Sequence, residues 1–225
     1  IMEMALEDLA AGTDLRAIIL RYFNPIGADP GLRSGGYVRE PSHVLGQLVL
    51  AAQGQQHAFT ITGTDLPTRD GTGLRDYLHD WDLARAHVAA VERFDQVMTS
   101  EGSSSTIINL GTGDGVTVRE LVTTFEKVYG EPITVHEGPP RPGDAVGSFA
   151  NVDKAREVLD WTASLTVEDG IESALAWARR RRDVLGYDPT RFHTGRAPIE
   201  AAALGLRLRP DQVAYRCNLV TLGDD

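Results

Sequence analysis

The feature that most limits the fold is an almost unbroken apolar run at residues 15–23, which carries Leu, Ala, Ile, Ile and Leu in close succession. A strand with one wet face alternates apolar and polar residues, whereas a strand covered on both faces in a parallel sheet is apolar almost throughout. Residues 106–110 have the same character. The two segments therefore predict an α/β fold built on a parallel sheet.

Helical periodicity accounts for much of the remaining sequence. Residues 82–94 carry apolar side chains at helical spacing, and Thr117 followed by Glu120 indicates a capping box that opens a helix ending at Tyr129, before Gly130. Further helices are predicted at residues 43–52, at residues 153–159 and from about residue 167, and further strands at residues 58–62 and 133–136. These elements complete the α/β prediction.

Charge and composition exclude several kinds of partner. The 225 residues carry a formal charge of -10, which argues against a nucleic-acid surface because phosphate contacts need clustered Lys and Arg. Cys217 is the single cysteine, so no intrachain disulfide is expected, and a reduced, cytoplasmic setting is predicted. No stretch approaches the length of a membrane span and the six histidines lack metal-ligand spacing, so we predict neither a membrane partner nor a metal site.

A glycine-rich segment, GTGDG at residues 111–115, follows one predicted strand and precedes a predicted helix. Dinucleotide sites use the spacing Gly-x-Gly-x-x-Gly, with an acidic ribose ligand about 20 residues further on. The spacing here differs, and no acidic ribose ligand stands at the expected distance. We interpret the segment as a strand-to-helix turn.

Three segments together carry a family resemblance: LRYFNPIGA at residues 20–28, GTGLRDYLHDWDLA at residues 71–84 and RPGD at residues 141–144. Residues 1–182 resemble the C-terminal portion of UDP-glucose 4-epimerases, which belong to the extended short-chain dehydrogenase/reductase family. The resemblance implies a partial Rossmann-type parallel sheet, of which only the last strands are present, plus the smaller C-terminal nucleotide-sugar-binding α/β domain.

The resemblance also implies that parts of the family's machinery are missing. In the family the dinucleotide site is a glycine-rich first βα turn, and the catalytic pair is a Tyr-x-x-x-Lys on a later helix. The sequence contains neither, and residues 1–9 look like the remainder of the helix that carries the catalytic lysine. We therefore expect a fragment without the cofactor-binding half and without catalytic residues, inactive as an isolated chain.

The resemblance assigns the diphosphate contacts to Asn24, Arg75 and Arg141, since arginine forks and amide donors suit phosphate oxygens. Taken alone, Asn24 is better explained as an asparagine that satisfies the turn before Pro25, but the flanking motif favours the diphosphate contact. Asp144 matches a residue that contacts the nucleotide ribose, and is equally well explained as a loop cap. The complete implied set is substrate contacts from Asn24, His43, Val44, Thr60, Thr62, Arg75, Tyr77, Arg141, Asp144 and Ser148, and cofactor contacts from Tyr22 and Phe23.

Two segments correspond to the uracil contacts of the family. The predicted helix start at residues 41–45 matches a place where many relatives carry two asparagines, which Ser42 and His43 replace here. The replacement leaves backbone contacts as the open alternative. Thr60 and Thr62 fall on the strand that holds the uracil edge through its backbone.

Ser148, His79 and Asp82 also fall on recognisable family positions. Ser148 matches a residue lining the sugar pocket, where a small side chain is associated with N-acetylated sugars, so we expect room for UDP-N-acetylhexosamines; the alternative is a surface serine. His79 and Asp82 belong to a His-x-x-Asp-Leu-Ala pattern, and we interpret both as structural, with Asp82 as the N-cap of the helix that follows.

The implied reaction is the reversible inversion of configuration at the fourth carbon of UDP-glucose and UDP-galactose, with NAD as hydride carrier, in galactose metabolism. The parent enzyme is expected to be a homodimer that binds a UDP-sugar. Two alternatives stay open: a non-catalytic UDP-sugar-binding fragment, and a fragment of a nucleotide-sugar dehydratase or decarboxylase.

The tail carries a second resemblance, through LGYDP at residues 185–189, TGRAPIEAA at residues 194–202 and AYRCNLVT at residues 214–221. These blocks resemble the archaeal type of cofactor-independent phosphoglycerate mutase. That family's nucleophilic serine and metal-binding aspartate do not precede them, so mutase activity is not expected. The predicted domains are residues 1–183 and 184–225, joined by fusion, assembly junction or chimeric gene model.

Overall fold

The computed structural model describes residues 1–38, 41–143 and 145–185. The chain divides into two units, Ile1–Tyr187 and Asp188–Asp225, and the described residues lie in the first. The helices are α1 (Met2–Gly12), α2 (Val44–Ala52), α3 (Asp80–Glu92), α4 (Phe94–Glu101), α5 (Val118–Tyr129), α6 (Asp153–Leu159) and α7 (Val167–Leu185). The strands are β1 (Ala17–Tyr22), β2 (Asn24–Ile26), β3 (Phe59–Thr62), β4 (Leu74–Arg75), β5 (Tyr77–His79), β6 (Ser105–Leu110), β7 (Val116–Thr117), β8 (Val135–Gly138) and β9 (Gly147–Ser148).

The strands form four small sheets, in which parallel pairing predominates. β1 pairs with β6, β2 with β5 and β3 with β8, all in parallel. β4 lies between β7, which is antiparallel to it, and β9, which is parallel. The predicted α/β class is confirmed, and the two apolar runs pair with each other directly.

Two hydrophobic cores flank β5. The first contains Leu48, Ile61 and Phe125, which come from α2, β3 and α5, and the second contains Ile108 and Trp161, together with the inner face of α3. Successive strand residues point to opposite faces. Tyr77 accordingly packs into the first core and Leu78 into the second, so this short strand joins the two halves of the described structure.

Most predicted elements agree with the structure to within a few residues, and the capping box of Thr117 and Glu120 is present as expected. The helix predicted at residues 82–94 is different: it starts two residues earlier, and a second helix, α4, follows it after a break at Arg93. In addition, the strand predicted at residues 133–136 is shifted to Val135–Gly138. No helix in the described ranges is both long and apolar enough to cross a membrane.

The prediction that Asp82 is the N-cap of α3 is wrong. Asp82 lies inside the first helical turn with none of its surface exposed. Its carboxylate accepts hydrogen bonds from the amides of Ser164 and Leu165, both at 2.7 Å, from Ser164 Oγ at 2.9 Å and from Arg85 Nη1 at 3.1 Å. A buried carboxylate needs such donors. Asp82 therefore ties α3 to the segment before α7.

His79 caps α3 instead, and its contacts fix its protonation. Its Nδ1 accepts a hydrogen bond from the Trp81 amide at 2.9 Å, so the proton of the neutral ring lies on Nε2, 3.1 Å from Ser173 Oγ. The Ser173 hydroxyl in turn donates to the Gly170 carbonyl at 3.1 Å. Since the ring nitrogen facing Ser173 carries the proton, this pair cannot act as a nucleophile and its base. The contacts agree with a structural role for His79.

Thr117 should contribute to stability through its side chain. It is fully buried, and its hydroxyl accepts from the Glu120 amide at 3.1 Å and donates to Asp70. We expect Thr117→Val to lower the free energy of unfolding by about 2 kcal/mol, the upper end of the range for a lost N-cap. Thr123→Val is the matched control, since the exposed Thr123 hydroxyl bonds only to the Arg119 carbonyl within the same helix. Urea unfolding checks both variants; equal losses would contradict the assignment.

His79 should also make stability depend on pH. Burial lowers the pKa of His79. The unfolded state therefore binds more protons than the folded state as the pH falls through about 6.5, and stability is lost in that direction. We expect the stability difference between the wild type and His79→Asn to shrink from pH 8 to pH 5, since asparagine caps a helix without titrating. Parallel stability curves in urea unfolding at several pH values would refute this.

Candidate functional site

Four of the predicted contact residues lie on neighbouring strands around one residue, Asp76. Arg75, in β4, pairs with Ser148 in β9, and Asn24, in β2, pairs with Tyr77 in β5. β4 and β5 are separated only by Asp76. Segments that are far apart in the sequence are therefore brought to the same place by short strand pairs.

The outer edge of β3 presents free backbone groups. Phe59 and Gly63 direct their amides toward β8, with bonds of 2.8 Å to the Thr134 carbonyl and 3.0 Å to the Gly138 carbonyl. Alternate residues of a parallel strand face opposite edges. Thr60 and Thr62 therefore direct their N–H and C=O groups away from β8, where no strand of the described chain pairs with them.

The loop that follows β8 carries Arg141 toward the same region. A Cβ atom on Gly63 would lie 3.3 Å from Pro140 Cβ and 3.7 Å from Leu66 Cδ1. A Cβ atom on Gly73 would lie 3.6 Å from Arg75 Nη1 and 4.0 Å from the same Leu66 atom. Leu66 thus lies near both Pro140, in the loop that leads to Arg141, and the guanidinium of Arg75. Asp144 lies outside the described residues, so its predicted ribose contact stays a prediction.

Arg75 and Arg141 differ from most other arginines of the described chain. Arg69 and Arg119 form salt bridges with Glu120 and Glu137. Within the described ranges neither Arg75 nor Arg141 has a carboxylate within salt-bridge distance; Arg75 Nη1 donates to the Leu74 carbonyl at 2.8 Å. Two arginines without a carboxylate partner in the described part of the chain suit an anionic ligand.

A partly buried hydrogen-bond network holds the loop before β4. Asp70 accepts from the Thr72 amide at 2.9 Å and the Thr72 hydroxyl at 2.7 Å, and also from Thr117. Desolvation raises the pKa of Asp70, but these hydrogen bonds outweigh it and the net shift is downward. Gly71 has a φ of +84°, and a Cβ atom there would lie 2.2 Å from the Thr64 carbonyl oxygen, so only glycine fits. The loop that leads into Arg75 is fixed against α5.

Asp76 holds the glycine-rich turn. Its fully buried carboxylate accepts from the Thr112 amide at 2.9 Å, the Thr112 hydroxyl at 2.7 Å, the Gly113 amide at 3.1 Å and the Ala150 amide at 3.1 Å. A Cβ atom on Gly111 would lie 2.4 Å from Asp76 Oδ2. The close approach of this carboxylate thus explains the glycine. The turn leads from β6 through the two-residue strand β7 to α5, so the strand-to-helix interpretation is right except for that short strand.

The structure places Tyr77 differently from the predicted substrate contacts. Only 2% of its surface is exposed, it packs in the first core, and burial raises the pKa of its hydroxyl despite the nearby charge of Arg75. We therefore assign Tyr77 to the core. His43 is the N-cap of α2, with Nδ1 accepting from the Gly46 amide at 3.1 Å, and Val44 is the first residue of that helix. Their ligand contacts stay predictions.

The predicted cofactor residues lie where β1 ends. Tyr22 is the last residue of the strand and contacts the His87 ring edge-on at 6.0 Å, and the Phe23 amide donates to the Leu110 carbonyl at 3.3 Å. Ligands of α/β sheets bind outside the carboxyl ends of the strands. The position suits a ligand contact without identifying the ligand.

The sequence analysis did not single out two carboxylates of this region, Asp70, which is partly buried, and Asp76, which is fully buried. Both belong to the motif that contains Arg75, and no local pattern indicates burial, since Asp70 lies between Arg69 and Gly71 and Asp76 follows Arg75. In the described ranges no group of three or more His, Cys, Asp or Glu side chains is arranged to hold a metal ion.

Family models and curated proteins match the first part of the chain. The model of the NAD dependent epimerase/dehydratase family matches residues 1–111. The UDP-glucose 4-epimerase of Rhizobium meliloti is 43% identical over 181 residues, which are 80% of this chain and 54% of that protein. UDP-glucose 4-epimerase 3 of Oryza sativa is 39% identical over 175 residues, covering 76% of this chain and 45% of the relative. The chain spans about half the length of the curated relatives it matches.

Solved structures give the same result. The Stenotrophomonas maltophila UDP-glucose 4-epimerase with bound NAD and formylated UDP-arabinopyranose has a TM-score of 0.74 at 37% identity, over 81% of this chain and 53% of that one. The Bifidobacterium longum UDP-glucose 4-epimerase in complex with NAD+ and UDP has a TM-score of 0.72 at 33% identity, over 84% of this chain and 53% of that one.

The matches also limit two predictions. They lie in the N-terminal part of this chain, so they do not support the narrower prediction that residues 1–182 are only the C-terminal portion of an epimerase. A second family model, 2,3-bisphosphoglycerate-independent phosphoglycerate mutase, matches residues 181–225. Most of that tail lies outside the described residues, and its boundary stays a prediction. The findings for the first part are consistent with one another: residues 1–111 match the model of the NAD dependent epimerase/dehydratase family, and the similarity to UDP-glucose 4-epimerases extends over about 80% of the chain.

Proposed function

We propose that the chain provides UDP-sugar binding for an NAD-dependent UDP-glucose 4-epimerase, which interconverts UDP-glucose and UDP-galactose. The observation that carries the proposal is the approach of two arginine-bearing segments to Leu66, which lies near Gly63 at the end of β3, a strand with one edge unpaired in the described chain. Neither Arg75 nor Arg141 has a carboxylate partner among the described residues. A nucleoside diphosphate offers both the negative charge and the flat polar base that this arrangement suits.

The diphosphate would bind between the arginines. Arg75 lies in β4, one residue before Asp76. Asn24 is held beside it because the main-chain N–H of Asn24 donates to the Asp76 carbonyl at 3.0 Å, which leaves the Asn24 side chain for the ligand. Arginine provides charged N–H donors at fixed geometry, and the asparagine amide provides a neutral donor. The exposed Arg141 would contact the phosphates from the loop that follows β8.

The uracil would bind along β3. One edge of uracil presents an N–H donor between two C=O acceptors. The outward backbone of a strand presents alternating N–H and C=O groups, which complement that edge. Thr60 and Thr62 supply those groups. The start of α2 at His43 and Val44 adds helix-terminal N–H groups, which favour an electronegative ligand atom.

NAD is the cofactor of the matched family and is present in neighbouring structures, so we propose it for the complete enzyme. The described glycine-rich turn does not fit its pyrophosphate, because the amides of Thr112 and Gly113 are already bound to Asp76. Tyr22 and Phe23 stay proposed contacts at the end of β1. When bound, NAD accepts and returns a hydride; we assign no step of that chemistry to the described residues.

The second candidate function is UDP-sugar binding without turnover. It is favoured by one feature of the sequence: none of the six tyrosines is followed four residues later by a lysine. An assay of the purified chain with NAD and UDP-galactose separates the two. Conversion to UDP-glucose supports the enzyme, and UDP-galactose binding without conversion supports the second candidate.

The arginines should dominate the affinity for UDP. We expect Arg75→Ala and Arg141→Ala each to weaken binding by about 2 kcal/mol, because each loses charge-assisted hydrogen bonds to phosphate. Arg156→Ala is the matched control, since Arg156 is exposed and pairs only with Asp153 on its own helix. Calorimetric titration with UDP measures all three. An affinity that is unchanged by Arg75→Ala would remove this residue from the site.

The size of residue 148 should control acceptance of N-acetylated sugars. Ser148 is exposed and pairs with Arg75, so its side chain lies next to the proposed diphosphate position. One structural neighbour, from Campylobacter jejuni, is a UDP-Glc/GlcNAc 4-epimerase, 30% identical with a TM-score of 0.63 over 79% of this chain and 53% of that one. We expect Ser148→Tyr to weaken UDP-N-acetylglucosamine binding at least tenfold while leaving UDP-glucose binding within about twofold, corresponding to roughly 1 kcal/mol of discrimination or more. Equal losses in titrations with the two sugars would contradict the assignment.

A further inference from the structure

We infer that Asp76 is a positioning residue for the proposed diphosphate site, acting through Arg75, Asn24 and Ser148 rather than on the ligand. The inference rests on the proposed function for the identity of the ligand. It does not follow from the motif, because an aspartate beside an arginine in a strand is equally an ordinary buried structural residue. It follows from where the four donors to its carboxylate come from.

The main chain of Asp76 connects two of the proposed ligand contacts. Arg75 is its neighbour in sequence, and the Asn24 amide donates to the Asp76 carbonyl at 3.0 Å. The next residue, Tyr77, is packed in the first core with 2% of its surface exposed. One peptide bond joins Asp76 to Arg75, and one hydrogen bond joins it to Asn24. A shift of Asp76 would therefore change the position of the arginine relative to the asparagine.

The side chain of Asp76 connects the third contact. Oδ1 accepts both bonds from Thr112, whereas Oδ2 accepts from the Gly113 amide and from the Ala150 amide, each at 3.1 Å. Ala150 is buried and stands two residues after Ser148, at the end of β9. The Oδ2 atom thus holds the end of the strand that pairs with Arg75.

The Oδ2 atom of Asp76 is packed closely against Gly111 and Ala150. A Cβ atom on Gly111 would lie 2.4 Å from Oδ2 and 2.6 Å from Ala150 Cβ. An asparagine at this position has two orientations. In one, its NH2 group faces the Gly113 and Ala150 amides and leaves both unsatisfied; in the other, it faces the Thr112 amide, and the neutral oxygen that remains accepts more weakly from Gly113 and Ala150 than a carboxylate does. In either orientation Asp76→Asn should consequently loosen the end of β9 even if the rest of the fold survives.

Asp82 provides the matched comparison. It is equally buried and its carboxylate also accepts four hydrogen bonds, but its amide donors are Ser164 and Leu165. Those residues precede α7, and they belong to none of the proposed ligand segments. Asp82→Asn therefore removes a buried carboxylate of the same kind without releasing Arg75, Asn24 or Ser148.

The test compares Asp76→Asn with Asp82→Asn in the full chain by three measurements: thermal unfolding, calorimetric titration with UDP, and amide hydrogen exchange. We expect both variants to be destabilised. Only Asp76→Asn should weaken UDP binding, by tenfold or more, and only Asp76→Asn should speed exchange in residues 146–150, by tenfold or more without ligand. If the two variants change affinity and exchange equally, the positioning role is overturned.

Two further results distinguish a failure of this inference from a failure of the proposed function or of folding. If the wild type does not bind UDP, the proposed function fails, and the exchange comparison alone decides whether Asp76 positions β9. If Asp76→Asn does not fold, Gly111→Ala replaces it, since its new methyl group displaces Oδ2. Gly36→Ala is then the control, because a Cβ atom on Gly36 meets nothing within 4 Å. Unchanged exchange in residues 146–150 of Gly111→Ala would overturn the inference.

Discussion

The rest of the described structure depends on a buried carboxylate that must have its hydrogen bonds satisfied. Asp76 has none of its surface exposed, and an unpaired charge in that position would cost several kcal/mol. Its donors are the glycine-rich turn after β6 and the residue two positions after β9. The requirement to bring those donors together places Arg75, Asn24 and Ser148 in one region. The same requirement at Asp82 ties α3 to the segment before α7.

Local signals in the sequence predicted the elements well. The apolar runs became β1 and β6, and the capping box of Thr117 and Glu120 starts α5 as its spacing indicates. These features depend on neighbouring residues only, so periodicity and capping rules are sufficient. The break at Arg93 that separates α3 from α4 has no comparable local signal, because no glycine or proline marks it.

Residues of the candidate site could be named from the sequence only through a resemblance, and their ligand contacts stay predictions. The interactions that assemble the site join residues far apart in the sequence: 36 residues separate Asp76 from Thr112, and 74 separate it from Ala150. Asp82 shows the same limit, since the N-cap prediction used its local position and its actual donors lie 82 and 83 residues away. Tyr77 was expected at the ligand, whereas the alternation of β5 turns it into the first core.

A crystal structure of the chain grown with UDP tests the central claim most directly. The account predicts phosphate oxygens within hydrogen-bond distance, about 3 Å, of the Arg75 and Arg141 guanidinium groups, with uracil along the Thr60–Thr62 edge of β3. UDP bound elsewhere on the folded chain, or a folded chain whose crystals contain no UDP at saturating concentration, would contradict it.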